Sequence, residues 1–73
     1  MKLPLLSGRE VTKIFRALGW EIVRQKGRHI ILVKEGHIAT LSIPDHREVA
    51  KGTLRKLITR AGITVEEFME AMK

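Results

Sequence analysis

Apolar residues recur at two different spacings along this chain, and the changes of spacing predict its helices and strands. The first apolar series returns every three or four residues, which is typical of one face of an amphipathic helix. Its members are Val11, Ile14, Phe15 and Leu18. Ser7 and Glu10 precede this series at the spacing of a capping box, and Gly19 follows it where a helix ends in a left-handed residue. The pattern therefore predicts a first helix between Ser7 and Gly19.

From Trp20 onward the spacing shortens to two residues, which indicates β-strands. Trp20 and Ile22 are expected to share one strand face. The third strand alternates most clearly, since Leu41 and Ile43 are separated by Ser42, and this predicts a sheet with one covered face. Short turns at Lys26-Gly27-Arg28 and Glu35-Gly36 predict antiparallel pairing. The three predicted strands are Trp20–Lys26, His29–Lys34 and His37–Ile43, and Pro44 ends the last one.

The helical spacing returns after a polar connection at 45–50. A second helix is predicted to start near Lys51-Gly52-Thr53 and to end at Gly62, and Thr64 and Glu67 form a second capping box before a short C-terminal helix. Its apolar series is Leu54, Leu57, Ile58 and Ala61. The order α-β-β-β-α predicts an α+β fold like that of double-stranded-RNA-binding domains: a three-stranded antiparallel sheet with both main helices on one face. The other sheet face is expected to be open.

Composition adds a preference for an anionic partner. The chain has 73 residues, enough for a single domain over 1–73, and its 14 Lys and Arg against 8 Asp and Glu give a net charge of +6. Such a charge favours nucleic acid as the partner, with an acidic protein as the alternative. The first six residues are too short for a signal peptide, and no apolar run approaches the ~20 residues of a membrane span. We therefore expect a cytoplasmic protein that does not enter membranes.

The candidate chemistry centres on His29. The chain contains no cysteine, which excludes thiol nucleophiles and thiolate zinc sites. His37, Asp45 and His46 match no recurrent metal-ligand spacing, so neither a metal nor another cofactor is predicted. His29 follows the basic turn Lys26-Gly27-Arg28, where a backbone can approach a phosphate and two cations can pair with it. Histidine there could transfer protons between a ribose 2′-hydroxyl and a departing 5′-oxygen. The alternative is a polar residue that opens a strand and takes no part in chemistry.

A second basic element lies at the predicted start of the second helix. The free amides of a helix start attract phosphate, and Lys51, Arg55 and Lys56 would add positive charge. The alternative is an ordinary polar helix face.

His37 flanks a hairpin turn and is expected to be solvated. His46 is expected to be exposed in the connection before the helix, with an auxiliary role in phosphate binding left open.

Four stretches give the chain a resemblance to the HicA (YcfA-like) family of small bacterial and archaeal toxins. They are "SGREVTKIFRALGWEIVRQKG", the turn "GRH", "SIPDH" and "KGTLRKLITRAGIT". The resemblance implies a double-stranded-RNA-binding-like fold, an mRNA-cleaving activity with His29 as the catalytic histidine, and a HicB-type antitoxin as partner. Arg28 stands where the family more often has serine or another small polar residue.

Two other functions remain open from the sequence. A non-catalytic RNA-binding module would use the same basic residues, and a docking surface for an acidic protein would use them as well. Phe15, Trp20 and Phe68 are the only aromatic residues, and at least Phe15 and Phe68 are expected in the core. Because readers of single-stranded sequence stack bases on aromatic rings, this composition disfavours sequence-specific recognition. The open sheet face also leaves homo-oligomer formation open.

Overall fold

A computed structural model describes residues 3–73 of the chain; Met1 and Lys2, part of the N-terminal segment considered above as a signal peptide, lie outside the described residues. The elements follow the predicted order. They are α1 (Gly8–Ala17), β1 (Glu21–Lys26), β2 (His29–Val33), β3 (Thr40–Pro44), α2 (Lys51–Arg60) and α3 (Val65–Ala71). None of the helices within residues 3–73 is long and apolar enough to cross a membrane.

Both predicted capping boxes are present. The Ser7 hydroxyl accepts from the Glu10 amide at 3.1 Å, and the Glu10 carboxylate accepts from the Ser7 amide at 3.0 Å. Thr64 and Glu67 repeat this exchange at 3.1 and 2.9 Å before α3. Each box satisfies two amides that a helix start would otherwise leave without a partner. These local signals therefore fix where α1 and α3 begin.

The three strands form one antiparallel sheet in the order β1-β2-β3, and the predicted α+β fold is confirmed. Alternation along β2 and β3 divides the sheet into two faces. One face carries Ile30, Leu32, Leu41 and Ile43, all buried beneath the helices. Phe15 of α1 lies against Phe68 of α3, with ring centroids 5.3 Å apart, and joins the two helices over this core. The opposite face carries His29, Ile31 and Ser42, and no helix of residues 3–73 covers it.

The first strand departs from simple alternation. Its register against β2 shifts between Ile22 and Arg24, which leaves an extra residue, Val23, at a β-bulge. Trp20 precedes the strand and is buried, whereas Ile22, which pairs with Leu32 of the covered face, is 44% exposed. The two residues therefore differ in burial. All six residues of β1 are exposed, and the strand forms one edge of the sheet.

The third strand begins at Thr40, and the prediction that it starts at His37 is wrong. The His37 amide donates to the Lys34 carbonyl at 3.0 Å, and the His37 Nδ1 accepts from the Ala39 amide at 3.2 Å. These bonds close a local turn that competes with strand pairing. The expectation of a solvated His37 is also wrong, since its ring is half-buried with its centroid 5.1 Å from that of Trp20.

Candidate functional site

The candidate site begins with the hairpin between β1 and β2. Lys26 and His29 are register partners, so Gly27 and Arg28 form a two-residue loop. Gly27 has φ 58° and no non-glycine residue of the described chain has a positive φ, which matches a type II′ turn with glycine at its first central position. A Cβ at Gly27 would meet nothing within 4 Å, so glycine is required here for its backbone conformation.

His29 opens β2 on the uncovered face of the sheet. Its neighbour Ile30 points into the core, so the side chain of His29 points the other way and is exposed. No described residue forms a hydrogen bond with its imidazole. Both ring nitrogens are therefore available for hydrogen bonds to a ligand.

A shallow depression of about 400 Å³ surrounds this histidine, and we call it the His29 depression. The hairpin contributes its basic side, and the sheet contributes Ile31 and Ser42, which are register partners on β2 and β3. The full lining is Lys26, Gly27, Arg28, His29, Ile31 and Ser42. The structure thus brings together four of the residues expected at the site, Lys26 to His29, and adds two that sequence reasoning did not assign.

Ser42 could have been found from the strand pattern, because it stands between Leu41 and Ile43 and so belongs to the opposite face. Ile31 could not, because β2 reads HIILV without alternation, and only its burial in the structure assigns Ile31 to the face of His29. Their pairing register, however, depends on where β3 begins. Since the sequence placed that start three residues early, the neighbours of His29 could not be identified from it.

Asp45 forms hydrogen bonds with two residues of the hairpin. Its backbone amide donates to the Arg28 carbonyl at 2.7 Å, and its carboxylate accepts from the side-chain Nε2 of Gln25 at 3.3 Å. The Arg9 Nε lies 3.6 Å from the other carboxylate oxygen and ties the same residue to α1. Asp45 therefore connects β1, the turn and α1, and fixes the backbone on which His29 is presented. Sequence reasoning considered Asp45 only as a weak metal ligand and missed this role.

The start of α1 is docked onto the same segment. The Gly8 amide donates to the His46 carbonyl at 2.9 Å, and a Cβ at Gly8 would overlap the Pro44 carbonyl oxygen. His46 enters this contact only through its backbone, and its side chain is exposed, as expected. The side chain of His46 lines neither the His29 depression nor the groove described next.

The cations of α2 lie apart from the His29 depression. Arg55 lines a neighbouring groove between α2 and β3, which shares Ser42 with the depression. Lys51, the first residue of α2, is exposed and lines neither concavity. Its helix begins after Ala50 without a side-chain cap and without an acidic residue in the first turn. Of the two predicted phosphate-binding residues on α2, the structure thus places Arg55, but not Lys51, in a concavity that adjoins His29.

Within residues 3–73, no group of three or more histidine, aspartate and glutamate side chains is arranged to hold a metal ion. His37, which the sequence offered as a weak ligand candidate with Asp45 and His46, packs against Trp20.

Comparison with known proteins identifies one family. The model of the family described as HicA toxin of bacterial toxin–antitoxin matches residues 8–63. Among solved structures, a chain of a toxin–antitoxin complex from Streptococcus pneumoniae has a TM-score of 0.70 and 34% sequence identity to this chain. That alignment covers 80% of this chain and 98% of the other. No curated protein matches significantly. The matched region runs from the start of α1 to just past α2, and so contains the hairpin, His29 and the whole sheet.

Proposed function

The chain belongs to the HicA toxin family of bacterial toxin–antitoxin systems, and on that premise we propose that it is an endoribonuclease that cleaves mRNA. In this proposal His29 is the acid–base group, and the cations around it bind the phosphate of the cleaved bond. One observation carries the proposal: an exposed histidine without hydrogen-bond partners stands beside two basic residues, Lys26 and Arg28, in a depression of about 400 Å³.

The chemistry needs only the RNA and these side chains. Neutral His29 takes the proton from a ribose 2′-hydroxyl, whose oxygen then bonds to the adjacent phosphorus. The bond from phosphorus to the 5′-oxygen breaks, and the protonated imidazole returns its proton to that oxygen. The products are a 2′,3′-cyclic phosphate and a 5′-hydroxyl, so atoms and charges balance without an added metal ion.

The surrounding residues stabilise the charge that gathers on the phosphate during this reaction. Lys26 and Arg28 flank the histidine, and Arg28 can form two parallel hydrogen bonds to phosphate oxygens. Gly27 keeps the turn free of a side chain, so the backbone can approach the ligand closely. Lys51 and Arg55 strengthen the positive field from α2 at longer range. His46 has at most an auxiliary role, because its exposed side chain lies outside the depression.

An antitoxin is the second partner in the proposal. The solved neighbour is a toxin–antitoxin complex, and the net charge of +6 on this chain favours an acidic surface on its partner. We propose a HicB-type antitoxin that covers the basic surface around His29 and so excludes RNA. Both mRNA and this antitoxin would be met in the cytoplasm.

Cleavage of single-stranded RNA in EDTA by the purified protein, followed by analysis of the product ends, tests this function. We expect 2′,3′-cyclic phosphate ends from the wild type and a rate lower by about 10²–10⁴-fold in His29→Ala, the usual contribution of one acid–base group. His46→Ala is the matched variant, because it removes the other exposed histidine, and we expect a loss below about tenfold. Far-UV circular dichroism checks that both variants are folded.

Three outcomes would contradict the assignment. Full cleavage by folded His29→Ala would exclude His29 as the acid–base group. Loss of wild-type cleavage in EDTA would exclude the metal-independent reaction. Tight RNA binding without cleavage, at any RNA sequence tested, would favour the alternative function of a non-catalytic RNA-binding module.

A further inference from the structure

A second concavity adjoins the His29 depression, and Ser42 lines both. It is a groove of about 700 Å³ between the free edge of β3 and one side of α2, and we call it the β3–α2 groove. Thr53, Lys56, Leu57 and Arg60 face the strand from α2, since they follow each other at i, i+3, i+4 and i+7. Because Ser42 belongs to both concavities, a ligand at His29 can continue into this groove without leaving the protein surface.

The free edge of β3 presents backbone polar groups to the groove. Opposed residues of an antiparallel pair alternate between hydrogen-bonded and non-hydrogen-bonded pairs. The bond from the Asp45 amide to the Arg28 carbonyl fixes this alternation, so Ser42 belongs to a non-hydrogen-bonded pair and its N–H and C=O point away from β2. The Thr40 carbonyl points the same way and accepts from the Arg60 Nε at 3.0 Å. The β3 edge of the groove therefore carries an amide donor at Ser42.

The charges of the groove have one sign. Arg55, Lys56 and Arg60 line it and no acidic residue does. Within residues 3–73, the carboxylates that form salt bridges are Asp45, with Arg9, and Glu70, with Lys73, so none pairs with these three cations. Unpaired cations along one groove raise the local concentration of an anionic ligand. Phosphates can also accept from the hydroxyls of Thr40, Ser42 and Thr53.

We propose that the β3–α2 groove binds the sugar–phosphate backbone of the RNA strand next to the phosphate held at His29. This inference rests on the proposed function and extends it to the parts of the substrate that do not react. An RNA strand fits the groove better than a protein partner, because the groove offers three unpaired cations and no aromatic anchor of the kind that concentrates protein-binding energy.

The groove should bind RNA with little sequence preference. All three aromatic residues of the chain, Phe15, Trp20 and Phe68, are buried, so none can stack on an unpaired base. Contacts to phosphate and sugar fix the position of a strand but carry no sequence information. The groove would therefore increase affinity for longer RNA regardless of its sequence.

The test measures binding of the full chain to 2′-O-methyl oligonucleotides of roughly 3 and roughly 12 nucleotides, lengths below and within the usual range of single-strand sites. These probes lack the 2′-hydroxyl, so binding is measured without cleavage. We expect the wild type to bind the longer probe more tightly, with a steep salt dependence. Arg55→Gln/Lys56→Gln should lower the slope of log K against log salt by about 1.4, since each phosphate contact with a single strand contributes about 0.7.

Lys13→Gln/Arg16→Gln is the matched control, because it removes the same charge from the exposed side of α1. A slope change in the control as large as in the groove variant would overturn the proposal, since net charge alone would then explain the effect. Equal affinity of the wild type for both probe lengths would also overturn it. Normal binding of the longer probe by the groove variant would overturn it too. If that variant also failed to bind the antitoxin, the groove would be assigned to the protein partner.

The experiments distinguish a wrong assignment of the groove as an RNA-binding site from a wrong assignment of the protein as a nuclease. If the wild type binds the long probe through the groove but leaves ordinary RNA intact, the nuclease assignment is wrong and the groove stands. If the wild type cleaves RNA and the groove variant keeps the wild-type slope and length dependence, the groove assignment is wrong and the nuclease assignment stands.

Discussion

The two faces of the sheet are built from adjacent residues of the same strands and have opposite physical characters. On the covered face, Leu32 and Leu41 are fully buried beneath the helices. On the open face, Ile31 and Ser42 lie next to them in the chain and line the depression around His29. One face thus supplies the packing free energy of the domain, and the other is open and carries the candidate site. A difference of one position along a strand decides which of these a residue does.

The largest expected difference in unfolding free energy is between substitutions of Leu32 and Ile31, which are adjacent on β2 and lie on opposite faces of the sheet. Leu32→Ala removes a fully buried side chain and should cost about 2–5 kcal/mol of unfolding free energy, from lost burial and the cavity that remains. Ile31→Ala removes a side chain of the same size from the open face and should cost about 1 kcal/mol, because that side chain keeps contact with water. Urea denaturation of the two variants measures both values. Equal losses would show that the open face is also packed against something.

A smaller effect is expected from two glycines at helix starts. Gly8→Ala should destabilise the protein by about 1–3 kcal/mol, because its Cβ would overlap the Pro44 carbonyl oxygen and push α1 away from the end of β3. Gly52→Ala should instead stabilise it by about 0.5 kcal/mol, since nothing lies within 4 Å of that Cβ and alanine loses less chain entropy in a helix. Thermal unfolding monitored by circular dichroism compares them. A stable Gly8→Ala variant would mean that the contact between α1 and β3 is loose.

The smallest effect is expected on β1, where alternation fails to predict burial. Ile22 pairs with Leu32, so alternation assigns it to the covered face of the sheet. Ile22 is nevertheless 44% exposed, and Val23 is 54% exposed. Ile22→Thr and Val23→Thr should each change the unfolding free energy by less than about 0.5 kcal/mol, as is usual for surface positions. Urea denaturation measures the change. A loss above about 1 kcal/mol would indicate that β1 is covered in solution, and sedimentation of the wild type would then show whether a second copy covers it.

The short-range features of the fold could be predicted directly from the sequence. The two capping boxes, the glycines that end α1 and α2, and the helix stripes depend on residues within a few positions of each other, so short-range chemistry determines them. The hairpin at Gly27 and Arg28, with a histidine directly after it, is equally local. This is why the sequence alone indicates His29, Lys26 and Arg28 as candidate site residues.

Tertiary structure decided the surroundings of that histidine. The start of β3 follows a turn at His37, whose ring packs against Trp20, a residue 17 positions earlier in the chain. The role of Asp45 under the turn and the groove shared through Ser42 depend on strand register and on where α2 packs. Such contacts join distant segments, and the free energy that selects them comes from the packed core as a whole. The sequence by itself determined the elements and the candidate histidine, and only the packed fold determined what lies beside it.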